Sequence, residues 1–403
     1  MTRTTQPVQD DSHAAKPYPK TLKTSGALHR FKYVECSPAL GREYHGLQLS
    51  SIIGDEAILR DLAITISERG VLFFDDQDIS AADTKRLLMK FNKLTGAPKQ
   101  SGIYKVPGPI LEYPHIPEAG DPEVSVFSST SMPLPKKLAE RPVASLLWHT
   151  DDTFEKHPPT YTSLKLIRNP PTGGDTLFVS SYGLYERLSE PWQKFTESLT
   201  ATHRLNHLKD MAKAGALNLP PDTVRGHPEN TGNELSTSHP VIRTNPVTGW
   251  KALYSAATGI RDGWFDNLAP HESDLLKKYF HDMITNNSDL QVRRRWKGVN
   301  GVALWDNRAV FHAPTLDGYD EERLIFHIAV AGERPYLDPA SSARSSAYAS
   351  AVTYTRTTTS YAAQEWFERH GIEVMEMAST FAGSKSHRIP LEPPSEGTGA
   401  TLS

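Results

Sequence analysis

Sixteen histidines and 47 acidic residues are spread over 403 positions, and the spacing His-x-Asp/Glu occurs twice, as His149-Thr150-Asp151 and His227-Pro228-Glu229. On extended backbone, residues i and i+2 face the same way, so either pair could offer two ligands to one ion. The motif is weak by itself, because a random arrangement of the same residues yields about two such pairs. Context separates them. His227 lies in residues 223–234 (TVRGHPENTGNE), a polar stretch dense in turn formers that predicts a solvated loop. His149 follows Ala144-Ser145-Leu146-Leu147-Trp148, an apolar run expected to bury it. A buried His beside a buried Asp needs partners. A satisfied His–Asp hydrogen bond and a bound metal both meet that need.

A third histidine and an arginine enlarge the set. The segment Trp305-Asp306-Asn307-Arg308-Ala309-Val310-Phe311-His312 places His312 just past a strand predicted over 301–305. Arg323 opens another, 323–330, in which Leu324, Phe326, Ile328 and Val330 share a core-facing side by alternation. Arg323, Ile325, His327 and Ala329 share the other side, so Arg323 points the same way as His327, roughly 13 Å along the strand. An arginine on an inward face needs an anion. A structural carboxylate would serve. So would a bound carboxylate ligand, which the guanidinium fork matches bidentately. Two histidines and one carboxylate form the set that holds Fe(II) with positions left open. A keto acid chelating that iron supplies electrons, and its far carboxylate needs a cation, a role Arg323 would fill. A zinc hydrolase draws on the same ligand types but gives Arg323 no task. A non-catalytic binding protein would share only the fold.

These groups must be positioned mainly by strands. Residues 55–70 show helical spacing that stops at Gly70, followed by a short buried strand over 71–74 and an amphipathic helix over 84–94. The proline-rich, aperiodic stretch 105–142 predicts a long loop of the binding or lid type. Strands are predicted over 163–167 and 176–180 around the turn 170–174. Two more, at 241–243 and 252–255, flank a hairpin turn at 245–249. Helical segments fall at 181–198 and 270–285. The pattern is mainly β with flanking helices, an antiparallel sandwich or barrel with helices packed outside. Three regions follow: a flexible arm over 1–25, one domain over 26–338, and a Ser/Thr-rich linker and tail over 339–403.

Composition narrows the class. Forty-four Lys and Arg against 47 Asp and Glu leave a net charge of −3, too balanced for bulk electrostatic binding of nucleic acid or an anionic membrane. No apolar run approaches the roughly 18 residues of a membrane helix. The first two dozen residues lack a signal peptide's apolar stretch. A single cysteine, Cys36, excludes an internal disulfide framework and thiolate-based metal sites. The expectation is a soluble, cytoplasmic protein acting on a small molecule, with homo-oligomerisation left open.

With these residues in view, the chain resembles the TauD/TfdA-like Fe(II)- and 2-oxoglutarate-dependent dioxygenases over residues 28–336, about three quarters of its length. The matching stretches are Trp148-His149-Thr150-Asp151-Asp152-Thr153-Phe154 with Pro158-Pro159, Gly173-Gly174-Asp175-Thr176, His239-Pro240-Val241-Ile242-Arg243-Thr244, Trp305-Asp306-Asn307-Arg308 with His312, and Arg323 before Gly332-Glu333-Arg334-Pro335. The resemblance implies a double-stranded β-helix (jelly roll) with flanking helices. It implies Fe(II) at His149, Asp151 and His312, and 2-oxoglutarate held through Thr176 and Arg323. It also implies O2-dependent oxidation of a C–H bond with release of succinate and CO2. A carboxylate at 151, where halogenating relatives carry a small residue, favours hydroxylation or a related desaturation or cyclisation. The substrate positions Tyr113, Ser145 and His327 depart in part from the taurine-type pattern. Ile110 stands where those members have a His, Ser145 where they have an Asn, and His327 where they have a sulfonate-gripping Arg. The fixed positive charge is gone, which points away from a small sulfonate. The alternatives are an alkylsulfonate dioxygenase with a modified pocket and a non-catalytic jelly-roll binding protein. Residues 105–142 and 205–235 are the segments expected to reshape the pocket.

Overall fold

The computed structural model describes residues 18–107, 116–130, 137–140, 142–214, 220–315, 317 and 321–347, all within the unit that ends at Tyr348. Residues 349–403, most of the expected tail, lie outside the described residues. Local signals start and stop the first helices. Asp55 accepts from the N–H groups of Ala57 and Ile58 and opens the helix Glu56–Arg69, and Gly70 ends it. Ser80 accepts from the Asp83 N–H at the start of Ala81–Thr95, which Gly96 closes in the left-handed conformation.

In chain order the strands are β1 (Lys32–Glu35), β2 (Arg42–His45), β3 (Val71–Phe74), β4 (Ser125–Ser128), β5 (Pro159–Arg168), β6 (Thr176–Ser180), β7 (Thr200–Arg204) and β8 (Ser236–Pro240). There follow β9 (Ile242–Thr244), β10 (Lys251–Leu253), β11 (Trp264–Phe265), β12 (Gln291–Arg294), β13 (Val302–Asp306), β14 (Val310–Pro314) and β15 (Leu324–Ala331). Seven form one sheet in the order β1-β2-β3-β13-β5-β15-β4, antiparallel except where β2 runs parallel to β3. A second, antiparallel sheet has the order β12-β6-β14.

Alternation assigns the two faces of the large sheet. Leu72, Phe74, Val302, Leu304, Leu324, Phe326, Ile328 and Val330 pack with Leu59, Leu62, Ile66, Leu87, Leu88 and Phe91 of the two helices. Phe73, Ala303, Trp305, Leu164, Leu166 and Ile325 face the other way and meet Phe178, Val179, Val310 and Phe311 of the small sheet. Phe178 sits edge-on to both Phe73 and Trp305, at 5.7 Å from each. Each such fully buried Leu, Ile or Phe is worth about 1.5–3 kcal/mol over exposure, enough to hold the layers in one register.

The structure departs from the expectations at four places. The predicted loop 105–142 contains β4, whose four residues edge the large sheet by pairing with β15. So short a strand among turn formers carries no legible period. The helical stretch 181–198 is two helices, Ser181–Glu186 and Glu190–Glu197, the second restarting with a proline in its first turn. Residues 18–25 of the expected arm are docked. Tyr18 stacks on Tyr336 at 5.0 Å, the Leu22 N–H donates to the Val247 carbonyl, and the Ser25 N–H donates to the Asp61 carboxylate. At the other end, Ser342 bridges Trp250 and Arg344 donates to the Ala39 carbonyl, so the packed chain runs past the 338/339 boundary. Both terminal segments are held through backbone groups, which polar composition does not reveal.

Gly70 and Gly96 both terminate helices at positive φ, +76° and +82°, but they differ in surroundings. A Cβ at 70 would lie 2.5 Å from Val310 Cγ1, whereas a Cβ at 96 meets nothing within 4 Å. Gly96→Ala is expected to cost about 1 kcal/mol of conformational strain. Gly70→Ala adds overpacking against β14 and is expected to cost about 2–4 kcal/mol in all. Urea denaturation midpoints check the ranking.

Candidate metal and co-substrate site

His312 lies in mid-strand on β14, and the 3₁₀ turn Ala144–Leu147 delivers His149 beside it. The two histidines pair through their backbones: the His149 N–H donates to the His312 carbonyl at 2.9 Å and the His312 N–H to the His149 carbonyl at 2.7 Å. Asp151, two residues on, puts Oδ1 at 3.4 Å from His312 Nε2 and 3.8 Å from His149 Nε2. One ligand atom from each of the three lies within 4.8 Å of the others.

Each ligand is oriented by a neighbour. His149 Nδ1 is 2.7 Å from the Leu147 carbonyl, so Nδ1 carries the hydrogen and Nε2 keeps its lone pair. The His312 ring stacks on Phe178 at 5.8 Å and packs against Trp305 at 4.7 Å. Asp151 Oδ2 accepts from the Thr162 hydroxyl at 2.8 Å, and Thr162 in turn accepts from Asn307 Nδ2 at 2.7 Å. Asn307 Oδ1 takes the Trp305 indole N–H at 2.9 Å and the Asp151 N–H at 3.3 Å. His327 Nε2 stands 3.4 Å from the same Oδ2. Oδ1 is thus turned toward the two histidines and Oδ2 toward its supports.

The protonation states suit a cation. Burial alone would raise the Asp151 carboxyl, but the His312, His327 and His149 imidazoles outweigh it and hold the group ionised, well below the usual carboxylate range. Burial, aided by His149, pushes the His312 imidazole well below its ordinary value and keeps it neutral. Neutral imidazole and ionised carboxylate are the forms that ligate a divalent metal, so the residues present fit the ion.

A second cluster has the same composition. His157, His227 and Glu229 also bring ligand atoms within 4.8 Å of one another. Here the structure corrects the solvated-loop expectation: His227 is buried. The loop is folded down by its own polar residues. Arg225 pairs with Glu155, and the Asn230 side chain accepts from the His157 N–H and donates to its carbonyl. Ring geometry separates the two clusters. The His157 and His227 rings lie parallel, 15° apart with centroids at 3.5 Å, so their in-plane lone pairs cannot converge on one ion. His227 Nδ1 is further committed as acceptor of the Glu229 N–H. The His149 and His312 rings are inclined at 49°, and their planes do intersect.

The co-substrate candidates come from opposite sheets. Thr176 opens β6 after a turn in which Gly173 and Gly174 take φ +81° and +70°, a conformation that favours glycine. Arg323 precedes β15 in the large sheet, is buried as the alternation predicts, and donates from Nε to the Gly174 carbonyl at 2.9 Å. The hydroxyl and the guanidinium are therefore tied to one turn. Trp296 donates from its indole N–H to Thr176 Oγ1 at 3.3 Å. Among the substrate candidates, His327 is at the metal cluster and Ser145 is half-buried on the 3₁₀ turn before it. Tyr113 and Ile110 lie outside the described residues. Sequence reasoning missed Thr162 and Asn307. The available signal was a hydroxyl at 162 on the strand side that Leu164 and Leu166 otherwise make apolar.

The fold and site define a mainly β protein with a His–Asp–His cluster able to hold a divalent metal, in which Asp151 and His312 are buried while His149, despite the apolar run before it, is half-buried. The model of the family "Taurine catabolism dioxygenase TauD, TfdA family" matches residues 32–330, and the chain belongs to that family. It is 37% identical over 351 residues to the alpha-ketoglutarate-dependent dioxygenase oryG of Aspergillus oryzae, covering 84% of this chain and 99% of the relative. It is 38% identical over 343 residues to the alpha-ketoglutarate-dependent dioxygenase btcD of Neocamarosporium betae, covering 80% and 97%. A crystal structure of a taurine dioxygenase from Burkholderia xenovorans superposes with a TM-score of 0.55 at 24% identity, over 76% of this chain and 92% of the other, and so shares the fold. The protein is an alpha-ketoglutarate-dependent dioxygenase, an oxidoreductase of a family that uses Fe(II), 2-oxoglutarate and O2.

The ring geometry predicts one metal per chain. His157→Gln is expected to leave Fe(II) or Co(II) stoichiometry at one, while His312→Gln lowers metal affinity at least about 10-fold. Anaerobic metal titration checks both.

Proposed function

We propose that His149, Asp151 and His312 hold Fe(II), that Thr176 and Arg323 hold the distal carboxylate of 2-oxoglutarate, and that the enzyme oxidises an unactivated C–H bond of a small organic molecule other than a simple sulfonate. The observation that carries this reading is the convergence of three ligand atoms within 4.8 Å beside an inward arginine tied to the Thr176 turn. We read the two facing sheets as the double-stranded β-helix of such enzymes, carried by residues 26–338, with residues 18–25 and those just past 338 packed against it. No helix among the described residues is long and apolar enough to cross a membrane. We separately read the enzyme as a cytoplasmic one acting on a dissolved metabolite.

The chain's own contribution is binding and orientation. Thr162 and His327 hold Asp151 by Oδ2, leaving Oδ1 for the metal. Arg323 neutralises the far carboxylate of the keto acid, so that its other end can chelate. Trp305 and Phe178 pack against His312 and Phe127 against His327, walling these two histidines with apolar surface that limits water. Iron and 2-oxoglutarate, when bound, supply the oxidising power, consuming O2 and releasing succinate and CO2 as the substrate C–H is oxidised. A carboxylate at 151 supports hydroxylation, desaturation or cyclisation as outcomes. His327 lacks the permanent charge a sulfonate would call for. Sulfonate oxidation is the second reading, favoured by the family's name, and turnover of taurine or an alkylsulfonate would establish it instead.

The test is anaerobic addition of Fe(II) and 2-oxoglutarate, followed by the visible charge-transfer band of the chelate and then by succinate formation in air. Asp151→Ala is expected to lose both the band and the succinate. Normal succinate production by that variant would end the metal assignment. Arg323→Gln should keep Fe(II) binding and weaken 2-oxoglutarate by about 10–100-fold, the worth of a charge-assisted hydrogen bond.

A further inference from the structure

We propose that Trp296 is a positioning residue for the co-substrate: its indole N–H holds the Thr176 hydroxyl as an acceptor and so turns the hydroxyl's own proton toward the carboxylate bound there. This rests on the assignment of Thr176 and Arg323 to 2-oxoglutarate.

The proposal follows from the donor and acceptor inventory. An indole N–H can only donate, and a threonine hydroxyl has one proton to give and two lone pairs to offer. Trp296 Nε1 donates to Thr176 Oγ1 at 3.3 Å, and both side chains are buried, at 5% and 3% exposure. One lone pair is thereby taken, and the hydroxyl proton must point away from the indole. Among the described residues no group accepts that proton. A buried donor is costly without an acceptor, and a carboxylate oxygen of the co-substrate would supply one. The Arg323 guanidinium, joined to the same turn through Gly174, adds positive charge there, which a carboxylate would match. A hydroxyl donor and a guanidinium at one turn would together suit a carboxylate.

The indole is held rigidly enough to do this. In the β12–β6 register Arg294 lies opposite Thr176, which puts Trp296 two residues beyond it. The Arg294 guanidinium lies over the Trp296 ring at 5.5 Å and is itself paired with Glu43 and Asp75. On the other side Gly301 closes so tightly that a Cβ there would lie 3.0 Å from the ring. A phenylalanine would fill most of this space yet leave the hydroxyl free to rotate.

The experiment measures keto-acid affinity of the Fe(II)-loaded enzyme anaerobically through the chelate band. The ligands are 2-oxoglutarate and 2-oxopentanoate, the five-carbon keto acid without the distal carboxylate. Trp296→Phe is expected to raise the Kd for 2-oxoglutarate about 3–10-fold, the worth of one neutral hydrogen bond, and to leave the Kd for 2-oxopentanoate and for Fe(II) within about two-fold. Thr176→Val should produce at least as large a loss for 2-oxoglutarate, and the double variant should be no worse than Thr176→Val alone. If Trp296→Phe does not fold, incorporating 3-benzothienylalanine at 296 removes the N–H while keeping the ring's shape. Unchanged 2-oxoglutarate affinity, equal weakening of both keto acids, or multiplicative losses in the double variant would each overturn the role. A wild-type enzyme that forms the band, but whose Thr176→Val and Arg323→Gln variants bind 2-oxoglutarate normally, would instead show that the co-substrate assignment has failed, and the role of Trp296 with it.

Discussion

A single pair of reciprocal backbone hydrogen bonds, between His149 and His312, holds the site together. One residue follows an irregular turn and the other lies on β14 of the small sheet, so no local signal could join them. Once paired, both imidazoles leave their backbones within one bridge of each other, and Asp151 is carried in by its fixed offset from His149. The rest of the architecture keeps that bridge in place. The large sheet supplies Thr162 and the turn between β13 and β14 supplies Asn307 beneath the carboxylate, while the small sheet supplies Phe178 behind the His312 ring.

Burial sets the terms on which these groups can exist. An isolated carboxylate between two sheets would lose more hydration than any one contact returns. Against the cost of burial, Asp151 is held below the usual carboxylate range with the Thr162 hydroxyl donating to Oδ2, and burial with His149 pushes the His312 imidazole well below its ordinary value. The result is an anionic oxygen and two lone pairs aimed inward from a fixed frame. This preorganisation would otherwise have to be made at the moment of metal binding.

The contrast between the two His–His–carboxylate clusters shows how little composition decides. Both contain a His-x-acid pair and a distant histidine, both have their ligand atoms within the same 4.8 Å, and both involve buried imidazoles. At 157, 227 and 229 the rings stack and their nitrogens are used internally, so the cluster ties a loop to the segment that follows the metal candidates. At 149, 151 and 312 the rings are inclined and Nε2 of His149 is left available. Interplanar angle and tautomer separate a structural clasp from a candidate metal site.

The sequence alone determined the short-range features. The helix stop at Gly70 followed from the local pattern, the two faces of β15 from alternation, and the candidate ligands His149 and Asp151 from residue type, spacing and the apolar run before them. These depend on neighbours a few positions apart, whose geometry the backbone sets. Only the tertiary structure decided which polar loop is solvated, because the groups that bury His227 come from Glu155 and His157, some seventy residues away. It alone found the four-residue β4, which exists because β15 offers it an edge. It alone set Thr162 and Asn307 against Asp151, and the Trp296 indole against Thr176. Their roles are set by a third partner brought across from another strand, and no residue records in its own neighbourhood which group the fold will set opposite it.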